Sequence, residues 1–317
     1  MWTPSRVRRA TPGVIVLIAL ASVSAVAAGH AAGPKRASGP HEFGCPILPV
    51  DNALNEPVAQ APVDPNSARY VASIGPSAHL HADFGRNPAY GIPYTVVSRK
   101  QPKVSVRFTE YADESEPGPY PVPAGAPVEG AGEAGDRHVL VVQRGTCRLY
   151  ELYAAERSGG GWRASNGAVF DLRSNSLRPA GWTSADAAGL PIFPLLARFP
   201  EVAAGSIDHA LRVTVPRTQS GYIHPATHFA SSSLDSSLPP MGLRLRLKAD
   251  FNLAGFSGQA LVILRALKRY GLIVADNGSP WYVTGAPSAD WNEASLAQLK
   301  RVPGTAFEAV RSGPIIR

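Results

Sequence analysis

Cys45 and Cys147 are the only cysteines in this chain of 317 residues, and they place the strongest constraint on its fold. In an oxidising compartment they pair, close a loop of about 100 residues, and tie the start of the folded region to its middle. On a chain-entropy basis such a bridge stabilises by ~4–5 kcal/mol. The sequence contains no C-x-x-C pair and no four-ligand zinc spacing, so neither a redox dithiol nor a structural zinc is expected.

The N-terminus predicts that oxidising compartment. Arg6, Arg8 and Arg9 form a basic stretch, Val14 to Ala28 a short apolar core, and Ala25-Val26-Ala27 a small-x-small cleavage pattern. About fifteen apolar residues fall short of the roughly 20 that cross a bilayer. Residues 1–31 therefore read as a signal peptide, 32–44 as a linker, 45–311 as one folded domain and 312–317 as a tail. The expected location is secreted, extracellular or periplasmic, with no stable membrane span after cleavage. The net charge is +7, and residues 1–31 carry three arginines and no acid, which leaves +4. That is too mild for a nucleic-acid binder, whose charge is concentrated in a stripe or arm. An anionic polysaccharide or cell surface remains compatible with it.

Period-two alternation marks strands at Ile92–Val97, Val104–Phe108, His138–Val142, Leu149–Tyr153 and Ala168–Leu172. The clearest is Leu243–Phe251, LRLRLKADF, which places leucines on one side and Arg244, Arg246 and Lys248 on the other. That second side reads as a solvated or ligand-holding basic face. Asp64-Pro65-Asn66-Ser67 opens a helix that Gly75 ends, and Ser257–Tyr270 forms an amphipathic helix ended by Gly271. Asn277-Gly278 between two apolar runs predicts a hairpin, and Asn292–Arg301 a last short helix. Many short strands with few helices imply a mainly β fold, a sandwich or jelly roll in one domain.

The stretch Gly181–Ser233 is the expected working surface. It holds His209, His224 and His228 together with Trp182, Asp186, Asp208, Arg212 and Tyr222. A carboxylate beside an imidazole fixes its tautomer and raises its basicity. Asp186 with His209 is the first pair expected to transfer protons. Asp136 and His138 come next, since residues two apart on a strand share a face. Trp182 and Tyr222 are expected to line a groove, with Arg244 and Arg246 holding anionic substrate groups. His224 and His228 are four apart but lack the H-E-x-x-H glutamate, and no metal or other cofactor is expected. Glu110, Asp113, Glu114, Glu116 and Glu129 crowd a Pro- and Gly-rich loop, where two facing carboxylates would suit glycoside hydrolysis. Gly255-Phe256-Ser257-Gly258 lacks the second glycine of G-x-S-x-G, so a serine nucleophile is poorly supported.

Seven segments (PVDNALN, YADESEPGPYPVP, GDRHVLVV, GWTSADAAGLPIFP, DHALRVTVP, PPMGLRLRLKADF and LKRYGLIVADNGSPWY) together resemble a group of uncharacterised exported bacterial proteins. Some members are attached to sugar-binding modules. The resemblance implies export and a single domain, brings no catalytic residues, and tilts the function toward polysaccharides. The expectation is a monomeric, secreted polysaccharide-cleaving enzyme, hydrolase or lyase, with a groove across a β-sheet. The alternative is a non-catalytic domain that binds carbohydrate or a cell-surface glycan.

Overall fold

The Cys45–Cys147 disulfide is formed, with the two Cα atoms 5.4 Å apart. The computed structural model that shows it describes Met1, residues 39–132 and residues 135–317. Met1 aside, the expected signal peptide and most of the expected linker lie outside the described residues.

The described chain starts with a ribbon of β1 (His41–Glu42) and β2 (Cys45–Pro46), followed by helix α1 (Ser67–Ile74). Next come β3 (His81–Asp83), β4 (Tyr94–Val97) and β5 (Val106–Phe108). A long irregular connection leads to β6 (Val139–Gln143), β7 (Arg148–Tyr153), β8 (Glu156–Ser158), β9 (Gly161–Ala164) and β10 (Asn166–Asp171). The C-terminal half supplies α2 (Phe199–Ala204), β11 (Leu211–Val215), β12 (Arg244–Leu247) and α3 (Gly258–Arg269). It ends with β13 (Leu272–Asn277), β14 (Tyr282–Thr284), α4 (Glu293–Ala297) and β15 (Phe307–Ala309). The fold is therefore strand-rich, built of several sheets with few short helices.

Local chemistry sets the helices. The Asp64 carboxylate accepts from the Asn66 N–H at 2.7 Å, and α1 then buries Tyr70, Val71 and Ile74. Helix α3 buries Ile263, Leu264 and Leu267 and lies against β12. It stops at Gly271, whose φ of 74° and whose approach to the Leu245 carbonyl leave no room for a Cβ.

A six-stranded mixed sheet has the order β15-β12-β13-β11-β14-β3. A four-stranded sheet has the order β10-β7-β6-β4, and a three-stranded one β5-β9-β8. Pairs β11/β13, β14/β3, β4/β6 and β5/β9 run parallel, so this is not a wholly antiparallel arrangement. Alternation along β6 and β7 divides two apolar cores. Leu140, Val142 and Leu149 join the large core, while Val139, Val141, Tyr150 and Leu152 face a smaller one with Tyr120 and Trp162.

Two expectations are corrected. The runs flanking Asn277-Gly278 do not pair with each other, because β11 lies between them. The turn instead crosses the end of β11: the Gly278 N–H donates to the Val215 carbonyl at 2.9 Å, and the Thr214 hydroxyl donates to the Ser279 carbonyl at 2.7 Å. The LRLRL strand presents no solvated face. Arg244 and Arg246 are buried like the leucines between them, because the segment 53–61 covers that side. Arg246 donates from Nη1 to the carbonyls of Val58, Ala59 and Ala61 and from Nε to Glu308.

Candidate functional site

Strand register gathers polar groups on one face of the six-stranded sheet. Arg212 stands opposite Ile273, which stands opposite Arg244 on the next strand; Thr284 stands opposite Asp83, and Tyr282 opposite His81. Directly paired residues project from the same side of a sheet. The β11–β13 register shifts between Val213 and Thr214, so Asp276 rather than Ala275 meets Thr214. The irregularity turns a carboxylate onto this face, as bulges near functional sites often do.

Arg212 is the hub. Its Nη2 donates to Asp186 at 3.0 Å and to Asp276 at 2.7 Å, and its Nη1 donates to the Thr284 hydroxyl at 3.0 Å. Burial opposes its charge, but Asp186 and Asp276 more than offset this and raise its pKa. Asp186 is wholly buried on the loop 184–190, which crosses β13 through the Ala188 N–H to the Ala275 carbonyl. Burial pushes its carboxyl up to about 6 against the pull of Arg212, and its Oδ2 has no hydrogen-bond partner among the described residues.

The four-stranded sheet faces this hub with the side of β6 and β7 that carries Glu151 and Tyr153, and with His138 just before β6. The His138 Nε2–H donates to the Ala185 carbonyl at 2.8 Å, and Nδ1–H to Glu129 at 2.5 Å. Burial alone would lower this imidazole; the Glu129 charge and hydrogen bond, with Asp136, hold it at about 9. Burial works to raise Glu129, yet His138 and Arg212 keep its carboxyl below the usual range. Asp136, whose side chain reaches solvent, is held above that range by desolvation and by Glu129 and Asp276, against the pull of His138 and Arg212. Asp83 is raised by burial, with Glu129 also within electrostatic reach and with His81 and Arg212 acting against the shift. Tyr153 feels Asp136 and Asp276, and its ring lies 5.7 Å from that of His138.

Besides the buried Glu151, five carboxylates thus lie around two cations, and one of the five, Asp83, lines a cleft. That cleft, of about 520 Å³, runs beside β3, α4 and the loop 84–90. Asp83, His81, Tyr282, Asn87, Tyr90 and Lys300 are among the residues lining it. His81 and Tyr282 stack at 4.2 Å, and Tyr90 is 58 % exposed. Asp83 belongs to both cleft and hub. Glu129, Asp136 and His138 each offer a ligand atom within 4.8 Å of the others and are the group able to hold a cation among the described residues. Because Glu129 and His138 already satisfy each other, they read as an ion pair.

The expected site residues fall in different places. Asp136, His138 and Asp186 lie in the hub, but His209 does not meet Asp186. Its Nδ1–H donates to the Ala210 carbonyl at 2.7 Å, and its Nε2 lies 3.1 Å from both Arg198 and Glu201, inside a second buried cluster. Tyr222 is buried, paired with Met241 and Ile316, and is not among the residues lining the cleft. Trp182 is half-buried under the Arg178 guanidinium. Arg244 and Arg246 are enclosed, away from the cleft. Two of the crowded loop acids brace the fold: Glu116 binds Arg178 through both oxygens at 2.7 Å, and Glu114 accepts from the Thr183 N–H. Sequence reasoning missed Asp83, Asp276 and Tyr153. Asp276 had a signal, as an acid at the end of a strand beside a glycine turn.

No family model, no curated protein and no solved structure matches this chain.

Proposed function

We propose that the protein is a secreted polysaccharide-cleaving enzyme, a glycoside hydrolase whose substrate lies in the cleft beside β3. The observation that carries this reading is Asp83, which lines the cleft while standing among the carboxylates around Arg212. Glycoside hydrolysis needs two carboxyl groups, one to protonate the leaving oxygen and one to act from the other side of the sugar ring. Asp83 is assigned the proton-donor role, and Glu129, with Asp136 beside it, the base or nucleophile role. Exposed Tyr90 and the His81–Tyr282 stack suit the apolar face of a sugar.

The charge balance favours hydrolase over lyase. A lyase must neutralise a uronate carboxylate, but the hub is rich in negative charge, and Arg244 and Arg246 lie buried elsewhere. A neutral or amino-sugar polymer fits better than an acidic one. The test is a reducing-end assay of the purified protein against neutral, amino-sugar and acidic polysaccharides, with Asp83→Asn and Glu129→Gln variants beside it. Reducing ends from a neutral or amino-sugar polymer, lost in both variants, support the proposal. Retention of a polysaccharide without turnover would replace it with the glycan-binding reading. A new ultraviolet-absorbing double bond from an acidic polymer would replace it with a lyase.

A further inference from the structure

The two buried arginines of β12 differ in their partners. Arg246 meets the Glu308 carboxylate at 2.8 Å. Arg244 is 5 % exposed, and its hydrogen-bond acceptors among the described residues are two neutral carbonyls, Tyr270 at 2.7 Å and Ala53. A guanidinium has five N–H donors, so most of its donor capacity is left over. A buried charge without a counter-ion is costly.

Arg244 lines a cavity of about 160 Å³ together with Arg311, His224, Ser312 and Glu56. This cavity shares no lining residue with the cleft beside β3. Arg244 and Arg212 are two strand spacings apart on the same face, about 10 Å. Of the side chains that line the cavity, Arg244 and Arg311 are the permanent cations. Its one carboxylate, Glu56, is exposed and makes no ion pair with Arg244 among the described residues.

We infer that this cavity binds one small oxyanion (phosphate, sulfate or a carboxylate), seated between Arg244 and Arg311. Arginine is suited to such ligands because its planar fork matches two oxygens at once. A space of this size accommodates one such ion. Burial pushes the Arg244 guanidinium down to about 10, with Glu56 acting weakly the other way, so a bound anion would relieve an existing penalty. The cavity wall includes Ala53 and Val58 from the opening segment and Val310 to Ser312 from the end of the chain. A bound anion would join both to β12.

The test titrates the protein with sodium phosphate, sulfate or acetate at an ionic strength held constant with chloride, using calorimetry and thermal melting. Saturable binding of at least one oxyanion, with a rise in Tm that chloride does not give, is expected. Arg244→Met removes two structural hydrogen bonds and can fail to fold, so the deciding variants are at the rim. Arg311→Ala leaves those bonds intact and is expected to weaken binding roughly tenfold, and Glu56→Gln to tighten it severalfold. Acetate binding without phosphate or sulfate binding would define the ligand as a carboxylate, and the reverse as a tetrahedral ion. No saturable binding, or variants that bind like the parent, would overturn the inference.

Discussion

Two buried arginines, Arg198 and Arg212, each sit beside a histidine and several carboxylates, yet the two clusters differ in charge balance. Arg198 donates to Glu42 at 3.0 Å and to Glu201 at 2.7 Å, with His209 beside it and the Phe193 carbonyl as a further acceptor. Two acids face one permanent cation and a histidine, and the cluster pins α2 to the β1 ribbon. Arg212 and His138 instead face Asp83, Glu129, Asp136, Asp186 and Asp276. Only three of those acids bond directly to a cation, and of the other two Asp83 lines the cleft. Both clusters reach an opening, since Glu42 and Glu201 line a pocket of about 440 Å³; what separates them is the surplus of acids around Arg212, which marks a place where protons can be exchanged with a ligand.

The contrast can be broken from either side. Asp83→Asn is expected to lower kcat/KM by about 10³-fold while leaving the urea midpoint near that of the parent. Arg198→Met is expected to do the opposite. It strands Glu42 and Glu201, costs about 3–5 kcal/mol in urea unfolding, and leaves the rate per folded molecule unchanged. Equal stability losses in both variants would show that the two clusters are the same kind of object.

A third prediction concerns pH. Glu151 is buried at the floor of the hub; burial pushes its carboxyl up to about 7, against the backbone N–H groups of Ile192 and Phe193. The native state then holds a proton that the unfolded chain releases near its ordinary value of 4.5. A raised pKa gives stability that is full below pH 4.5 and is lost as pH rises through about 7. The loss is about 3 kcal/mol by the usual conversion. Glu129 and Glu201, held low, change stability only on the acid side of this window. Urea unfolding at pH 5 and pH 8 is therefore expected to favour pH 5; Asp186 and His138, also raised, lose stability in the same direction as pH rises, so Glu151→Gln is expected to shrink the difference by about 2–3 kcal/mol and not to abolish it. The smallest effect is expected at the cleft lip, where Tyr90→Ala should raise KM a few-fold and change stability by less than about 0.5 kcal/mol.

Much of the fold was legible where the signal is local. Asp64 and Gly75 bound one helix, Gly271 ends another, and the β6–β7 alternation sorts side chains between two cores. Pairing between distant strands was not legible. Asn277-Gly278 has the chemistry of a hairpin, and only β11 arriving from far away makes it a crossing turn. In LRLRL, period two separates the faces but says nothing about what covers each; segment 53–61 hides the arginines. At the site, Asp136 and His138 are close because they are two residues apart. Asp83, Arg212 and Asp276 come together only through the register of β3, β14, β11 and β13, and Glu129 only because its loop folds back onto His138.

The insertion of β11 between β13 and β14 also governs the order of assembly. Its neighbours are consecutive in sequence and both lie downstream, so β11 has no partner in the six-stranded sheet until Leu272–Thr284 is available. Contacts of such long sequence separation slow folding, because the loop must close before the pairing repays it. Until then Leu211, Val213 and Val215 belong to an apolar strand with both edges open, the form in which chains pair wrongly with one another. The strand that carries Arg212 thus stays without a partner in that sheet until β13 and β14 arrive, and refolding yield should fall with protein concentration.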